Sequence, residues 1–228
     1  MKPISIATMA LAVLPMLLGH SSAGAAETSR PTVSAALLAA PWSIAGIRLG
    51  MTPRQVADAV KRAGYVLDFR HMGRSWQGEV SDQVYLLRDI RIPTGADVVR
   101  KEDYKKGQED IQVIYAVSPA GPYASRVTFR IDSDAIDAER FSAAARSRYG
   151  RPSIDWGPAS LYCSAGEREC ARPGSWVINQ LPHLIVSVED GMTRSLELQP
   201  GLAVKSAFEA AIKAEAERLY PKKDKPSF

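Results

Sequence analysis

Histidine occurs three times and cysteine twice in the 228 residues of this chain, and that scarcity narrows the chemistry it can support. His20 falls in an apolar leader, which leaves His71 and His183 for the body of the protein. No His-Glu-x-x-His, no Cys-x-x-Cys and no Asp-rich calcium loop is present, so neither a metal nor another cofactor is expected. A serine nucleophile on a sharp turn would announce itself as Gly-x-Ser-x-Gly, which is missing. Gly46 and Gly50 lack the downstream Lys-Ser or third glycine of a phosphate-cradling loop. Asp132 and Asp134 sit where a helix should open, so capping accounts for them better than a glycosidase pair does. No catalytic residue is assigned.

A strong charge of one sign is also missing. Lys and Arg number 29 against 25 acids, a formal balance of +4. They are dispersed, with no stripe of basic and aromatic residues, so nucleic acid is not an expected partner. After the leader, no apolar run is long enough to span a bilayer.

The leader itself has the layout of a secretory signal peptide. Lys2 gives a positive start, Ile4 to Leu18 is apolar apart from small residues and Pro15, and Ser21-Ser22-Ala23-Gly24-Ala25-Ala26 supplies the small side chains a signal peptidase reads. Residues 1–26 are therefore expected to be removed, with cleavage after Ala25 or Ala26 and a periplasmic or extracellular product. No cysteine follows the small-residue stretch, which excludes lipid attachment there. In an oxidising compartment Cys163 and Cys170 are expected to form a disulfide. Closing that eight-residue loop would contribute roughly 2.5 kcal/mol through chain entropy. Six intervening residues do not suit a redox centre.

Along the mature chain, residues 27–40 read as a mobile lead-in and 221–228 as a frayed tail, with one domain over 41–220. The best-specified element is a helix opening at Thr52. Thr52 is a good N-cap, Pro53 fits the first helical position, and Gln55 completes a capping box. Val56, Ala59, Val60 and Ala63 recur at helical spacing, and Gly64 ends the run. Strands are expected over 65–69 and 83–92, and residues 93–110 read as a charged exposed connection. Residues 111–117 and 125–131 read as a hairpin with a long turn. A second helix is expected from Ser133 or Asp134 to Tyr149, then strands over 159–163, 175–181, 183–189 and 194–198, and a last helix over 201–220. Strands in runs between helices define an α+β class, an antiparallel sheet with helices packed on one face. Gly64-Tyr65 and Tyr149-Gly150 each close a helix before a meander, which leaves open a division into two similar halves, 41–110 and 111–220.

The run Gly46-Ile47-Arg48-Leu49-Gly50-Met51-Thr52-Pro53-Arg54-Gln55-Val56, continuing to Gly64-Tyr65, resembles the Gly-Met-Thr-x-x-x-Val helix opening of small bacterial envelope proteins. These include the small outer-membrane lipoprotein of the β-barrel assembly machinery and the β-lactamase inhibitor protein of related fold. The resemblance covers about 20 of the 228 residues. It implies an antiparallel sheet with helices on one face and a role in binding other proteins. The absence of a lipidation cysteine departs from the lipoprotein, and no functional residue carries over.

Aromatic and basic side chains in turn-rich stretches are the remaining candidates. Trp42 and Trp176 are expected in the core, whereas Trp76, within Gly73-Arg74-Ser75-Trp76-Gln77-Gly78, and Trp156, before Gly157-Pro158, are candidate binding anchors. His71 and Arg74 flank the first of these. The expectation is a secreted or periplasmic non-enzymatic module that binds a protein or an envelope component through the 70–80 stretch and the 163–170 tip. The alternatives are a hydrolase with dispersed residues, using His71 or His183 as base, and a small-ligand carrier.

Overall fold

The computed structural model describes residues 38–164, 181–188 and 193–221. The leader with its cleavage site, Cys170, Trp176 and most of the strand expected over 175–181 lie outside the described residues.

Helix α1 (Pro53–Arg62) forms as its sequence demands. The Thr52 side chain accepts from the Gln55 backbone N–H, and the Gln55 side chain accepts from the Thr52 backbone N–H at 2.9 Å. Gly64, at φ 82°, turns the chain out of the helix, a conformation a Cβ would strain. The other described elements follow as β1 (Val66–Gly73), α2 (Trp76–Arg88), β2 (Val98–Lys106), β3 (Glu109–Ser118), β4 (Gly121–Asp132), α3 (Ala138–Tyr149), β5 (Ile154–Asp155), β6 (Ala159–Cys163), β7 (His183–Ser187), β8 (Thr193–Gln199) and α4 (Leu202–Leu219).

All eight strands join one antiparallel sheet in the order β1-β2-β3-β4-β8-β7-β6-β5. The chain is thus α+β, with two four-strand meanders meeting at β4 and β8. One cross-strand row runs Arg70, Glu102, Val113, Val127, Leu198, Leu184, Tyr162, each directly opposite the next and therefore on one face. The five apolar members are buried. Val56, Ala59 and Val60 of α1 and Phe141 and Ala145 of α3 belong to the same core cluster. Phe141 stacks on Phe129 at a centroid distance of 6.5 Å. Helices α2 and α4 instead pack on each other, through Val80 and Val84 against Ile212 and Ala216, in a separate cluster.

Four expectations need correction. Residues 83–92 do not form a strand; they are largely the second half of α2. Ser75 caps that helix by accepting from the Gly78 N–H, and Val80, Val84 and Leu87 repeat at helical spacing toward α4. The apolar density of 84–92 mimics a strand because the helical period is set from Val80, ahead of the dense part. Residues 93–110 are not an exposed connection, since β2 and the start of β3 lie there. The turn between β3 and β4 is short, only Pro119 and Ala120 separating the strands. Helix α3 begins at Ala138 under an Asp137 cap, later than Ser133 or Asp134.

Thr52→Ala removes the side-chain half of the α1 cap. It should lower stability by about 1 kcal/mol in urea titration, with Thr52→Ser close to wild type.

Candidate functional site

Strand β1 is the outermost strand at one end of the sheet, and no described strand pairs with its outer side. It follows α1 directly because Gly64 reverses the chain and the Tyr65 N–H bonds back to the Val60 carbonyl. Seven of its residues, Val66 to Met72, are exposed. Four of those seven are large and apolar: Val66 is 67 % exposed and Phe69 50 %, and Leu67 and Met72 are nearly as open. A long, apolar, unpaired edge is a liability that proteins ordinarily blunt. The opposite edge is blunted: β5 has two residues.

Beyond its ladder to β2, β1 is tied down by a charge buried in β2. Glu102 is completely inaccessible. Its Oε2 accepts from the Tyr104 hydroxyl at 2.6 Å and the Tyr115 hydroxyl at 2.5 Å. Its Oε1 accepts from Arg70 Nε at 2.8 Å and lies 2.6 Å from Nη2. Arg70 stands directly opposite Glu102 in the β1–β2 register, and its own side chain remains 47 % exposed. Further along, Lys105 pairs with Asp68 at 3.1 Å and Lys101 lies over the Phe69 ring. At the foot of the strand the Tyr65 hydroxyl donates to Glu109 at 2.5 Å. Register irregularities between Leu67 and Phe69 and between His71 and Met72 twist the edge.

Of the expected contact residues, His71 lies on β1 itself and is exposed. Arg74 follows the strand, pairs with Asp82 of α2 and is also exposed. Trp76 corrects the loop expectation: it is the first residue of α2, half-buried, with its ring edge-on to Phe208 of α4 at 5.9 Å. Its indole serves the α2–α4 contact. Trp156 projects from the β5–β6 turn, 54 % exposed, at the far edge of the sheet. Asp155 shapes that turn by accepting from the Gly157 N–H and the Ser160 hydroxyl and pairing with Arg146. The Gly157 N–H above all holds its carboxyl below the usual carboxylate range. The structure therefore brings His71 and Arg74 to one edge and leaves Trp156 at the other. The apolar β1 side chains were missed because, in sequence, they resemble any strand interior.

His183 is buried at the start of β7, with Nδ1 3.0 Å from the Leu181 carbonyl. Neither His71 nor His183 lines a described cavity. Among the described residues there is no group of three His, Cys, Asp or Glu able to hold a metal. Cys163 ends β6 opposite His183, and because Cys170 lies outside the described residues so does the geometry of the expected bridge. No helix among the described residues is long and apolar enough to cross a membrane.

A cavity of about 690 Å³ lies between the start of α1 and the β3–β4 turn. Thr52 and Gln55 on its wall are spent on the capping box and Ser118 on the turn through Gly121 and Ala120, whereas the buried Tyr123 hydroxyl, also on its wall, has no hydrogen-bond partner among the described residues.

No family model matches the sequence, and searches of curated proteins and of solved structures find no match to the chain.

The Glu102 cluster makes two testable statements. Glu102→Ala leaves two buried hydroxyls and a guanidinium without their acceptor. It should cost on the order of 3 kcal/mol in denaturant unfolding and speed amide exchange in β1 more than in β4. Burial first, and the carboxylate hydrogen bonds second, raise the phenol pKa values of Tyr65, Tyr104 and Tyr115 above the ordinary 10.0. A group with a raised folded pKa releases its proton more readily when unfolded. Its stabilisation is therefore complete below pH 10 and is lost as pH rises toward the folded value. Unfolding free energy from denaturant titration should be flat up to about pH 9.5 and then fall, by up to about 1.4 kcal/mol per pH unit for each tyrosine. Tyr115→Phe should flatten that decline.

Proposed function

We propose that the chain is an exported, non-enzymatic binding module whose open sheet edge, β1, takes an extended segment of a protein. The observation that carries this reading is the rigidly anchored outermost strand with Val66, Leu67, Phe69 and Met72 in solvent. Main-chain hydrogen bonds along such an edge supply affinity, and side-chain contacts at alternate positions supply selectivity. Anchoring by Glu102 means that little ordering cost falls on the edge when a strand is added. His71 and Arg74 flank the apolar residues and would set register. Trp156 is a separate, secondary contact.

The resemblance of the α1 opening to small bacterial envelope proteins that bind other proteins supports the same class of function. So does the chain order, helix then four antiparallel strands, which occurs from α1 to β4 and again from α3 to β8. On this reading the two halves are duplicates that meet between β4 and α3, with α2 inserted in the first, and α1 and α3 cover one face of the sheet. The periplasm or extracellular medium is the site of action, and the Cys163–Cys170 bridge closes the tip there. The hydrolase alternative loses its motivation, because its two candidate bases are one on an exposed edge and one buried against the backbone.

A photoactivatable benzophenone amino acid replacing Phe69 in the producing cells tests the edge. Illumination should give a covalent protein adduct, whereas the same group at exposed Glu209 of α4 should not. A Phe69 yield no higher than that of the Glu209 control would overturn the proposal.

A further inference from the structure

We infer that the cavity under the first turns of α4 is a binding site for a small amphipathic carboxylate, with Tyr123 as the donor on its floor. The site is separate from the β1 edge and does not depend on the edge reading. The cavity measures about 440 Å³, within the range of small-ligand sites. Ile114 and Ala116 of β3 form its floor together with Arg126 and Tyr123, which stand directly opposite them on β4. Residues directly opposite share a face, and Ile114 and Arg126 adjoin Val113 and Val127 of the buried row. The floor is therefore the other face of the sheet. The irregularity beside Ser125 leaves Tyr123 opposite Ala116. Tyr123 also borders the cavity at the α1 opening, but Ala116, its cross-strand partner, borders this one and not that.

The apolar part of the wall comes from Ile114, Ala116, Pro200, Val204 and Phe208. Its charged residues are Arg126 and Lys205, and no acid is among them. Their carboxylate partners, Glu197 at 3.3 Å and Glu209 at 3.9 Å, stand off the wall in solvent-exposed pairs, which hold a cation only weakly. Helix α4 opens on the wall at Gly201, with no side-chain cap and no acid in its first turn. A helix start of that kind favours an anion. The independent sign of a ligand is Tyr123. It is 7 % exposed, and its hydroxyl is buried with no hydrogen-bond partner among the described residues. Burial raises its pKa against the pull of Arg100, so the phenol keeps its proton at neutral pH. A buried donor left unpaired has lost its hydration without replacement, and folded proteins hold few of them. A carboxylate under the α4 opening would accept a hydrogen bond from that hydroxyl and meet both cations, while its apolar body lies along Ile114 and Phe208.

Decanoate titrated calorimetrically into the purified chain should bind once per chain in the micromolar range, with decanol at least about tenfold weaker. Tyr123→Phe should weaken decanoate binding at least about tenfold, the loss of one hydrogen bond to a charged group. The same variant should leave the ligand-free thermal midpoint unchanged or higher, because it removes an unpaired polar atom. Leu202 is exposed at the first position of α4. Leu202→Glu should lower affinity more than Leu202→Gln, although a carboxylate there suits the helix. Phe69→Ser, on the β1 edge, should bind decanoate as wild type does.

No binding up to about 1 mM overturns the inference, and equal affinities for decanol and decanoate overturn it by removing the carboxylate. A Tyr123→Phe chain that binds as wild type does, or whose ligand-free midpoint falls by several degrees, overturns it as well. Loss of binding in Phe69→Ser would place the probe on the β1 edge, which also ends the inference and leaves the edge reading untouched.

Discussion

A carboxylate with no access to water stands second in the row of side chains that runs across the sheet, next to Arg70, and the first half of the molecule is organised to accept it. Removing a carboxylate from water costs several kcal/mol even after relaxation, and the cost is offset only where every lone pair has a partner. Glu102 meets that condition through two phenols and one guanidinium. The position of Arg70 matters as much as its charge. Because β1 is the outermost strand, Arg70 neutralises Glu102 from the rim and keeps part of its own hydration. The desolvation cost then falls mainly on one member of the pair. In return β1 is tied to the sheet by a charge-assisted bond that a purely apolar edge strand would lack.

How much of this was legible in the sequence depended on whether the deciding signal was local. The α1 opening carries cap, proline, box and glycine within a dozen residues, and it forms as read. The strands β3, β4, β6, β7 and β8 show runs of apolar or β-branched residues and lie where expected within a few positions. Strand β2 was unreadable because its inward positions are filled by Glu102 and Tyr104 among Lys101, Asp103 and Lys105, so the alternation that marks a half-buried strand is written in charges. Helix α2 was misread because the partner that fixes its buried side, α4, arrives more than a hundred residues later. The candidate site was half legible. His71 and Arg74 do stand at the edge, but that Val66, Leu67 and Phe69 are exposed follows from β1 being outermost, which no local pattern states.

The order of the strands also explains why the two ends of the sheet differ. In each meander the strand that follows the helix is the outermost, β1 after α1 and β5 after α3, because the last strands, β4 and β8, pair with each other at the centre. At β5 the edge is cut to two residues, and Asp155 is committed to its turn and to Arg146. At β1 the strand runs eight residues and ends in a short link to α2. Shortening an edge and extending one are opposite responses to the same exposure of backbone donors and acceptors.

A strand added at β1 would continue the sheet from Arg70, the residue that already begins the buried row. Its side chains would meet β1 groups fixed from beneath by Glu102, Lys101 and Lys105, so their rotamers are settled before contact. Pre-ordering of this kind lowers the entropic cost of association, and a small edge contact depends on it because it has little buried area to set against that cost. The same anchoring limits what the edge can accept. Arg70 cannot turn outward without leaving Glu102 uncompensated in the core, so any incoming strand meets a guanidinium already committed to the sheet.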